Sequence, residues 1–362
     1  VSANIHSPVS GTVIDITNCT LADGTNAPSI VIENDGKDEE IALTPIDSAS
    51  SEKQIIEAIR NAGIVGEGGA QFPTDVKYDL DESQINTFII NGTECEPFLT
   101  ADYALMAQHA KQLLEGVSIV NRILKAKDIV ITIEKQNKEL IRVFEPLLNK
   151  NKDIRLVVLP NEYPQGGELQ LIKSVTGIEL PRNKRPKDIG VIVNNVGTIY
   201  AIYQAVVEGR PLISRILTVS GDKSQKFGNY EVLIGTPVSF ILNTLGISTN
   251  NKRLVLGGPM MGKGVTNPDA PILKGSSGVL LLHEDKKRQH NCISCGYCVD
   301  VCPMHLMPMK FEEIYREGRL FKLEKYHIGN CIECGACEYI CPSNVPLIES
   351  IKQGKIRLKE LA

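Results

Sequence analysis

The sequence predicts a multidomain α/β protein, and three observations support that fold class. A central stretch alternates short apolar strands with amphipathic helices, which is typical of an α/β layer with a largely parallel sheet. Short segments of alternating polarity, broken by Gly, Pro and Asn, flank this stretch and predict smaller β modules. Near the C-terminus, eight of the ten cysteines form two copies of one pattern.

These patterns divide the 362 residues into four predicted segments. We expect a small β module at 1–45, an α/β domain at 46–210, a β-grasp-like segment at 211–285 and a helical, cysteine-rich domain at 286–362. The strands predicted for the α/β domain lie at 87–92, 128–134, 154–160 and 188–196. The helices predicted between and around them lie at 53–63, 103–126, 138–148, 167–177 and 198–209.

The bulk composition excludes several classes of protein. A net charge of −4 argues against nucleic acid as the main partner. The sequence contains no apolar run of about 18 residues, so no transmembrane segment is predicted. The N-terminus does not have the pattern of a secretory signal, so the cysteines are expected to be metal ligands or catalytic groups rather than disulfides. Cys19 is expected to be a small buried side chain.

The cysteine repeat predicts two iron–sulfur clusters. CISCGYCVDVCP (292–303) and CIECGACEYICP (331–342) share the spacing C-x2-C-x2-C-x3-C-P, which is the bacterial ferredoxin run for [4Fe–4S] clusters. In two-cluster proteins the fourth cysteine of each run binds the other cluster. Zinc is less suited, because one tetrahedral ion does not need three cysteines so closely spaced. The predicted ligand sets are Cys292, Cys295, Cys298 and Cys341 for one cluster, and Cys331, Cys334, Cys337 and Cys302 for the other.

A glycine-rich segment, GIVGEGGAQFPT (63–74), is a candidate phosphate site and is termed the glycine loop below. Glycines let backbone N–H groups approach a phosphate without a clash with Cβ atoms, and Lys77 could add a positive charge. The segment is neither a Walker loop nor a G-x-G-x-x-G turn between a strand and a helix. A tight structural turn is the alternative interpretation.

Polar turns follow the predicted strands. NGTECEP (91–97) and VNNVGT (193–198) directly continue apolar strands, and EYPQGGEL (162–169) opens a helix. In an open α/β sheet, ligands bind at the C-terminal ends of the strands. The alternative is that these turns are simply solvated. Together with the glycine loop, they predict a nucleotide pocket.

GEGGAQFPT, NGTECEP, EYPQGGELQL and VNNVGT, in this order, resemble the flavin- and NADH-binding subunit of respiratory complex I. The sequence is more similar to the C subunit of the Rnf ferredoxin:NAD oxidoreductase, a family that adds a β-grasp (SLBB) segment and a two-cluster ferredoxin domain. HSPVSGTVIDI resembles the second half of that family's barrel-sandwich module, so a preceding segment is expected. The resemblance covers nearly the whole chain.

The resemblance implies that FMN and NAD(H) bind in the α/β domain. Positions 71 and 167 depart from the complex I motif, because they hold Gln71 and Gly167 where that motif has glycine and glutamate. No side chain is predicted to be catalytic, since the redox chemistry belongs to the cofactors. The residues that match FMN contacts are Gly66, Gly68, Gly69, Lys77, Asn91, Glu94, Asn194, Asn195 and Thr198. The residues that match positions near the nicotinamide nucleotide are Phe72, Glu96 and Glu168.

The function implied by the resemblance is electron transfer between NAD(H), FMN and two 4Fe–4S clusters, as the NADH-binding subunit of a membrane-associated complex. The expected partners are other electron-transfer subunits and ferredoxin. The expected location is peripheral, on the cytoplasmic face of the inner membrane. One alternative is a soluble relative, such as a cobalamin reductase or the electron donor of proline reductase. An alternative of a different class is a flavin-free iron–sulfur relay or scaffold.

Overall fold

The structure is a computed structural model that describes residues 1–47, 50–80, 83–149, 151–222, 226–283 and 288–361. The chain divides into two compact units, which are Val1–Gly258 with Lys263–Leu282, and Pro259–Gly262 with His283–Ala362. The predicted domain boundary between residues 285 and 286 lies outside the described residues. Within the described ranges, every helix is too short or too polar to span a lipid bilayer.

The N-terminal β module is an antiparallel hairpin. Strands β1 (Gly11–Thr20) and β2 (Asn26–Asn34) pair along their whole length, with a register irregularity between Val13 and Asp15. Most of their side chains are exposed. Cys19 is only partly buried, so the prediction that it is a core side chain is wrong. The reason is that a two-stranded hairpin has little with which to cover its own faces.

The α/β domain is built on a four-stranded, fully parallel sheet in the order β5-β4-β3-β6. Its strands are β3 (Thr87–Asn91), β4 (Asp128–Glu134), β5 (Ile154–Leu159) and β6 (Val191–Asn195). The chain adds β4 and β5 on one side of β3 and then returns to place β6 on the other. The topological switch point therefore lies between β3 and β6, where Asn91 pairs with Asn195. We term the C-terminal ends of these two strands the switch edge.

Helices cover both faces of this sheet. Phe88 and Ile90 of β3 lie in a core shared with α1, α3, α4 and α6, whereas Ile89 lies in a second core with Leu171 of α5. Strands buried on both faces are continuously apolar, which is why they were predictable. The helices are α1 (Glu52–Asn61), α2 (Thr74–Lys77), α3 (Ala101–Leu124), α4 (Glu139–Leu148), α5 (Glu168–Thr176) and α6 (Val196–Tyr203), the last followed by a π-helical turn at Gln204–Glu208.

A mixed five-stranded sheet follows, in the order β10-β9-β11-β7-β8. Strands β7 and β8 form an antiparallel hairpin, and β11 lies parallel to β7. Helix α7 packs its Ile241 and Leu242 against Leu217 and Val279 of the sheet, as expected for a β-grasp-like segment. The elements are β7 (Ser214–Gly221), β8 (Gly228–Leu233), α7 (Val238–Leu245), β9 (Lys252–Leu256), β10 (Lys263–Gly264) and β11 (Gly278–His283).

The second unit is helical, and its two cysteine runs have the same backbone geometry. Gly296 and Gly335 have φ/ψ of 86°/−13° and 81°/−11°, and Ser294 and Glu333 have φ of 56° and 57°. Phe311 of α9 and Ile351 of α12 share a core between the runs. The helices are α8 (Tyr297–Asp300), α9 (Pro308–Arg316), α10 (Lys322–Lys325), α11 (Ala336–Tyr339) and α12 (Leu347–Glu360).

Candidate functional site

The glycine loop connects helix α1 to helix α2. Hydrogen bonds hold its two arms together, from Gly66 N–H to Phe72 O (2.9 Å) and from Gln71 N–H to Gly66 O (3.2 Å). Gly68 and Gly69 are exposed at the start of the loop's outer turn. The loop therefore offers bare backbone to solvent at this point.

The structure distinguishes the glycines that the chain needs for its own packing from those that leave space. A Cβ on Gly63 would lie 2.2 Å from Asn4 O, and Gly69 has a φ of +102°, which side chains rarely adopt. A Cβ on Gly66 or Gly68 would come no closer than 3.8 Å or 3.6 Å to the atoms around it. Internal packing therefore does not require glycine at 66 or 68, whereas the close approach of a ligand would.

The glycine loop faces the switch edge. A Cβ on Gly68 would lie 3.6 Å from the Cβ of Asn195. Asn195 Oδ1 accepts a hydrogen bond from Gly197 N–H (2.8 Å) and thereby caps helix α6. On the neighbouring strand, Asn91 Nδ2 donates to Gly166 O (3.0 Å), which joins two of the polar turns predicted from the sequence. The first turn of a capped helix beside a glycine-rich loop is suited to a phosphate group.

Thr198 and Asn194 each accept a hydrogen bond from a residue next to the switch edge. Thr198 Oγ1 accepts a hydrogen bond from Glu67 N–H (2.9 Å), so the glycine loop is tied to helix α6. Asn194 Oδ1 accepts one from the hydroxyl of Tyr78 (3.2 Å), and both side chains are buried. Burial raises the pKa of Tyr78, which keeps the hydroxyl protonated as the donor.

Glu94 lies at the N-terminus of helix α3. Its carboxylate oxygens accept hydrogen bonds from Asp102 N–H and Tyr103 N–H, each 3.2 Å long. Burial, the largest effect, and the neighbouring charge of Asp102 together raise the pKa of Glu94 to about 8. Asp102 in turn accepts from Asn195 Nδ2 (2.6 Å). This acidic pair therefore adjoins the switch edge.

Two of the acidic residues near the site were missed by the sequence reasoning. Glu67 is the charged residue inside the glycine loop, and Asp102 follows Glu94 by eight residues. Glu67 is 7% exposed and Asp102 contacts Asn195. A charged side chain within a glycine-rich run was a usable signal for Glu67. Asp102 carried no such signal, since an acidic residue in a helix's first turn usually serves the helix dipole.

The residues predicted for the nicotinamide nucleotide lie in different parts of the first unit. Phe72, at the end of the exposed part of the glycine loop, is 47% exposed. Glu96 lies against the backbone of Gly258, where an added Cβ would be 2.2 Å from Glu96 Oε2. Gly258 is therefore a further residue next to a predicted NADH contact, and the sequence alone did not indicate that it would lie there.

Lys77 and Glu168 are brought together. Lys77 Nζ donates to Val193 O (2.5 Å) in the middle of strand β6 and lies 3.7 Å from Glu168 Oε1. Burial lowers the pKa of Lys77, while Glu168 opposes that shift. A predicted FMN contact is therefore adjacent to a predicted NADH contact, as the two ligands of one pocket would require.

Each ligand set predicted for an iron–sulfur cluster surrounds its own cavity in the second unit. The two cavities are similar in size. Apolar side chains, including Val345 and Leu347 in one and Leu306 and Phe311 in the other, complete the walls. The first cavity is lined by Cys292, Cys295, Cys298 and Cys341, and the second by Cys302, Cys331, Cys334 and Cys337.

The chemistry of these cavities fits iron–sulfur clusters. Backbone N–H groups donate to sulfur at 3.4 Å, from Leu306 to Cys302 and from Glu333 to Cys331. Burial raises the pKa of Cys334 and of Cys337, and neighbouring thiols add to the effect in both. Thiolates grouped in this way need bound cations, which iron supplies.

Comparisons with known families identify the same parts of the chain. The family described as the Nuo51 FMN-binding domain matches residues 59–204, which include the glycine loop and the switch edge. A 4Fe–4S dicluster domain matches residues 291–345, and the barrel sandwich hybrid domain of RnfC matches residues 1–37. The chain therefore contains a domain of the Nuo51 FMN-binding family and a 4Fe–4S dicluster domain, as predicted.

Curated relatives define the family. The C subunit of the ion-translocating oxidoreductase complex of Rhodobacter capsulatus is 41% identical over 375 residues, which cover 99% of this chain and 71% of the relative. The C subunit of the proton-translocating ferredoxin:NAD(+) oxidoreductase complex of Clostridium ljungdahlii is 38% identical, over 91% of this chain and 74% of the relative. The chain belongs to this family of Rnf complex C subunits, which confirms the resemblance.

Other relatives and a solved structure extend this comparison. The C subunit of Haemophilus influenzae strain PittEE is 40% identical over 99% of this chain but only 56% of its own length, and the chain spans about half the length of several such relatives. A crystal structure of an NAD+-reducing [NiFe]-hydrogenase in the H2-reduced state matches 87% of this chain and 63% of its own, with a TM-score of 0.59 and 18% identity. At that identity, the likeness shows the fold alone.

Proposed function

We propose that the chain passes electrons between NAD(H) and two 4Fe–4S clusters through FMN, as the NADH-binding subunit of a membrane-associated ferredoxin:NAD oxidoreductase complex. FMN, when bound, supplies the conversion between two-electron hydride chemistry and one-electron transfer. The chain's own residues bind and orient the groups involved. The observation that carries the proposal is the exposed glycine backbone at 68, which faces Asn195, the cap of helix α6, at the switch edge.

The flavin is proposed to bind between the glycine loop and the C-terminal ends of β3 and β6. The bare backbone of Gly68 and Gly69 would receive the phosphate group, close to the first turn of helix α6, and Gly66, whose N–H donates to Phe72 O, would leave room for it. Lys77 would supply a positive charge near the same edge. The remaining proposed contacts are Asn91, Glu94, Asn194, Asn195 and Thr198, which surround or follow the two strand ends.

The nicotinamide nucleotide is proposed to contact Phe72, Glu96 and Glu168. The exposed ring of Phe72 offers a surface on which a flat base can stack. The carboxylates can accept hydrogen bonds from ribose hydroxyls or from a carboxamide, and they would repel an additional phosphate. A preference for NADH over NADPH follows from that repulsion.

Each cavity is proposed to hold one cluster, and the fourth cysteine of each run is proposed to bind the cluster of the other run. In the second cavity, the apolar walls restrict water around the sulfur ligands, and the backbone N–H donors stabilise charge on the sulfurs. Partners are proposed to be other subunits of the complex and ferredoxin. The name of the Clostridium ljungdahlii relative, a subunit of a ferredoxin:NAD(+) oxidoreductase complex, supports both. The proposed location is peripheral, on the cytoplasmic face of the inner membrane.

The proposal is tested on protein purified without oxygen. Acid extraction should release about one FMN per chain, and iron analysis should give about eight Fe per chain. Addition of NADH should bleach the flavin band in the visible spectrum. A chain that contains iron but neither holds nor takes up flavin would contradict the proposal and would support an iron–sulfur relay.

A further inference from the structure

Glu67 places a carboxyl group in the interior of the glycine loop. Its backbone N–H donates to Thr198 Oγ1 (2.9 Å), which fixes its position over helix α6. Only 7% of the Glu67 residue is exposed to solvent. In the part of the chain that the structure describes, its carboxyl oxygens take part in no hydrogen bond. A buried carboxyl group without such a partner is costly to ionise.

The Glu67 carboxyl group lies against the first turn of helix α6. A Cβ on Gly197 would be 3.1 Å from Glu67 Oε2 and 3.0 Å from Asn195 Oδ1. The adjacent Gly68 faces Asn195 from the loop side. The carboxyl group therefore shares the corner, between the glycine loop and the start of α6, to which the proposed function assigns the flavin phosphate.

Three charged groups from other elements face Glu67. Asp102 of helix α3 has the same sign, whereas Arg215 of strand β7 and Lys274, which precedes strand β11, have the opposite sign. Burial, the largest effect, raises the pKa of Glu67, the two cations oppose the shift and Asp102 supports it, and the resulting pKa is about 7.

The two cations direct their hydrogen bonds elsewhere. Lys274 Nζ donates to the carbonyl oxygens of Asn4 (2.7 Å) and Gly63 (2.6 Å), and Arg215 Nη1 donates to Lys274 O (2.5 Å). Burial lowers the pKa of Lys274 to about 8. The cations thus attract the Glu67 carboxylate only through space, and this attraction does not offset the cost of its burial.

We propose that Glu67 holds a proton while the flavin phosphate is bound beside it, so that FMN binding takes up a proton and weakens as the pH rises. The inference rests on the proposed function, because it depends on a phosphate group at the glycine loop. A phosphate dianion next to a carboxylate makes that carboxylate harder to ionise. Glu67 therefore releases its proton at a higher pH in the complex than in the free chain.

The direction of the pH effect follows from this difference. Below about pH 7, Glu67 is protonated before FMN arrives, and the affinity is independent of its titration. Above that pH, each binding event must restore the proton, so the dissociation constant rises by up to about tenfold per pH unit. The phosphate group is itself a dianion over this range, because its second pKa is about 6.

The test measures FMN binding by flavin fluorescence quenching on the full chain freed of FMN, between pH 7 and 8.5. The wild-type dissociation constant should rise about tenfold or more over this interval. Glu67→Gln should bind FMN with less than about a twofold change. Riboflavin has no phosphate group, so its dissociation constant should not show this rise with pH in the wild type or in Glu67→Gln.

Glu134→Gln is the matched control. Glu134 is also buried, at 1% exposure, and burial raises its pKa, but it lies at the end of strand β4 rather than in the glycine loop. This variant should keep the wild-type pH profile. Far-UV circular dichroism and an unchanged iron content check that each variant is folded.

The remaining outcomes distinguish this inference from the function on which it rests. A rise that persists in Glu67→Gln but vanishes in Lys274→Arg would assign the effect to Lys274 and overturn the inference. A pH-independent wild-type affinity, or an equal rise for riboflavin, would also overturn it. Absence of FMN binding to the wild type at every pH would instead contradict the proposed function.

Discussion

Asp102 Oδ2 accepts a 2.6 Å hydrogen bond from Asn195 Nδ2, and this contact joins the start of helix α3 to the start of helix α6. Glu94 accepts hydrogen bonds from backbone N–H groups of the same turn of α3. Burial raises the pKa of Asp102 and of Glu94. The ligand-binding edge of the sheet is therefore supported by two acids that keep their protons to a higher pH than they would in water.

We predict that the chain loses stability as the pH rises from 5 to 8. The pKa of Glu94 is about 8 in the folded chain but ordinary in the unfolded chain, so the folded state holds an extra proton in this range. Each such group lowers the free energy of unfolding by up to about 1.4 kcal/mol per pH unit. The midpoint of thermal unfolding, followed by circular dichroism, should fall across this interval.

Glu94→Gln should reduce this slope, because a glutamine does not ionise and its Oε1 can still accept from the α3 turn. The exposed Glu57→Gln should leave the slope at the wild-type value. Identical slopes for wild type and Glu94→Gln would show that Glu94 does not retain its proton in the folded chain.

A second prediction concerns Gly68→Val. The chain itself has room for a side chain here, since a Cβ would meet only Asn195 Cβ at 3.6 Å. The variant should therefore fold, but its side chain would occupy the space proposed for the phosphate group. We expect FMN affinity to fall by at least about tenfold, with unchanged iron content. Equilibrium dialysis of FMN measures the change.

Gly264→Val provides the control for a valine at an exposed glycine. Gly264 has open space around its Cβ position and lies on the short strand β10. It should retain wild-type FMN affinity. A folded Gly68→Val that binds one FMN with undiminished affinity would remove the glycine loop from the flavin site.

The strands of the α/β domain were predictable to within about three residues because their own residues determine them. Ile89 and Ile90 face opposite cores, so the strand must be apolar at successive positions. Helix α12 lies in a stretch for which no element was predicted. Its Gly354 allows Leu323 and Ile328 to approach within 3.0 Å and 3.2 Å of the position that a Cβ would occupy. This close packing, absent from the sequence pattern, stabilises the helix.

In the candidate site, too, some features could be predicted from the sequence and others could not. Each cysteine run is only twelve residues long, so the grouping of its cysteines could be predicted from their spacing. The contact between Glu67 and helix α6 joins residues 131 positions apart, and the contact between Asp102 and Asn195 spans 93 positions. No local pattern indicates which acid approaches which helix. Only the folded sheet brings these groups to one edge.

A third prediction tests the exchange of the fourth cysteines. Cys302 lines the cavity of the second run, and Cys341 lines that of the first. Cys302→Ser should therefore alter the EPR signal of the second run's cluster, and Cys341→Ser that of the first. Each variant should leave the other signal intact. Serine is a poorer ligand for the iron of these clusters than thiolate.

The control for these variants is Cys19→Ser, because Cys19 is a partly buried cysteine of the N-terminal hairpin. Its substitution should leave both EPR signals and the iron content unchanged. If Cys302→Ser changes only the signal that also changes in Cys295→Ser, each run would retain its own cluster and the exchanged assignment would be wrong.

The fourth prediction places NADH beside the flavin. Glu96→Gln and Glu168→Gln should each raise the KM for NADH by about 3- to 10-fold, the loss expected for one weakened hydrogen bond, while FMN stays bound. Reduction of an artificial acceptor measures this, and NADPH should become a better substrate as repulsion is relieved. Glu139→Gln, also at a helix start beyond the same sheet, is the matched control and should behave as wild type. If both test variants keep the wild-type KM and kcat, these carboxylates do not contact the nucleotide.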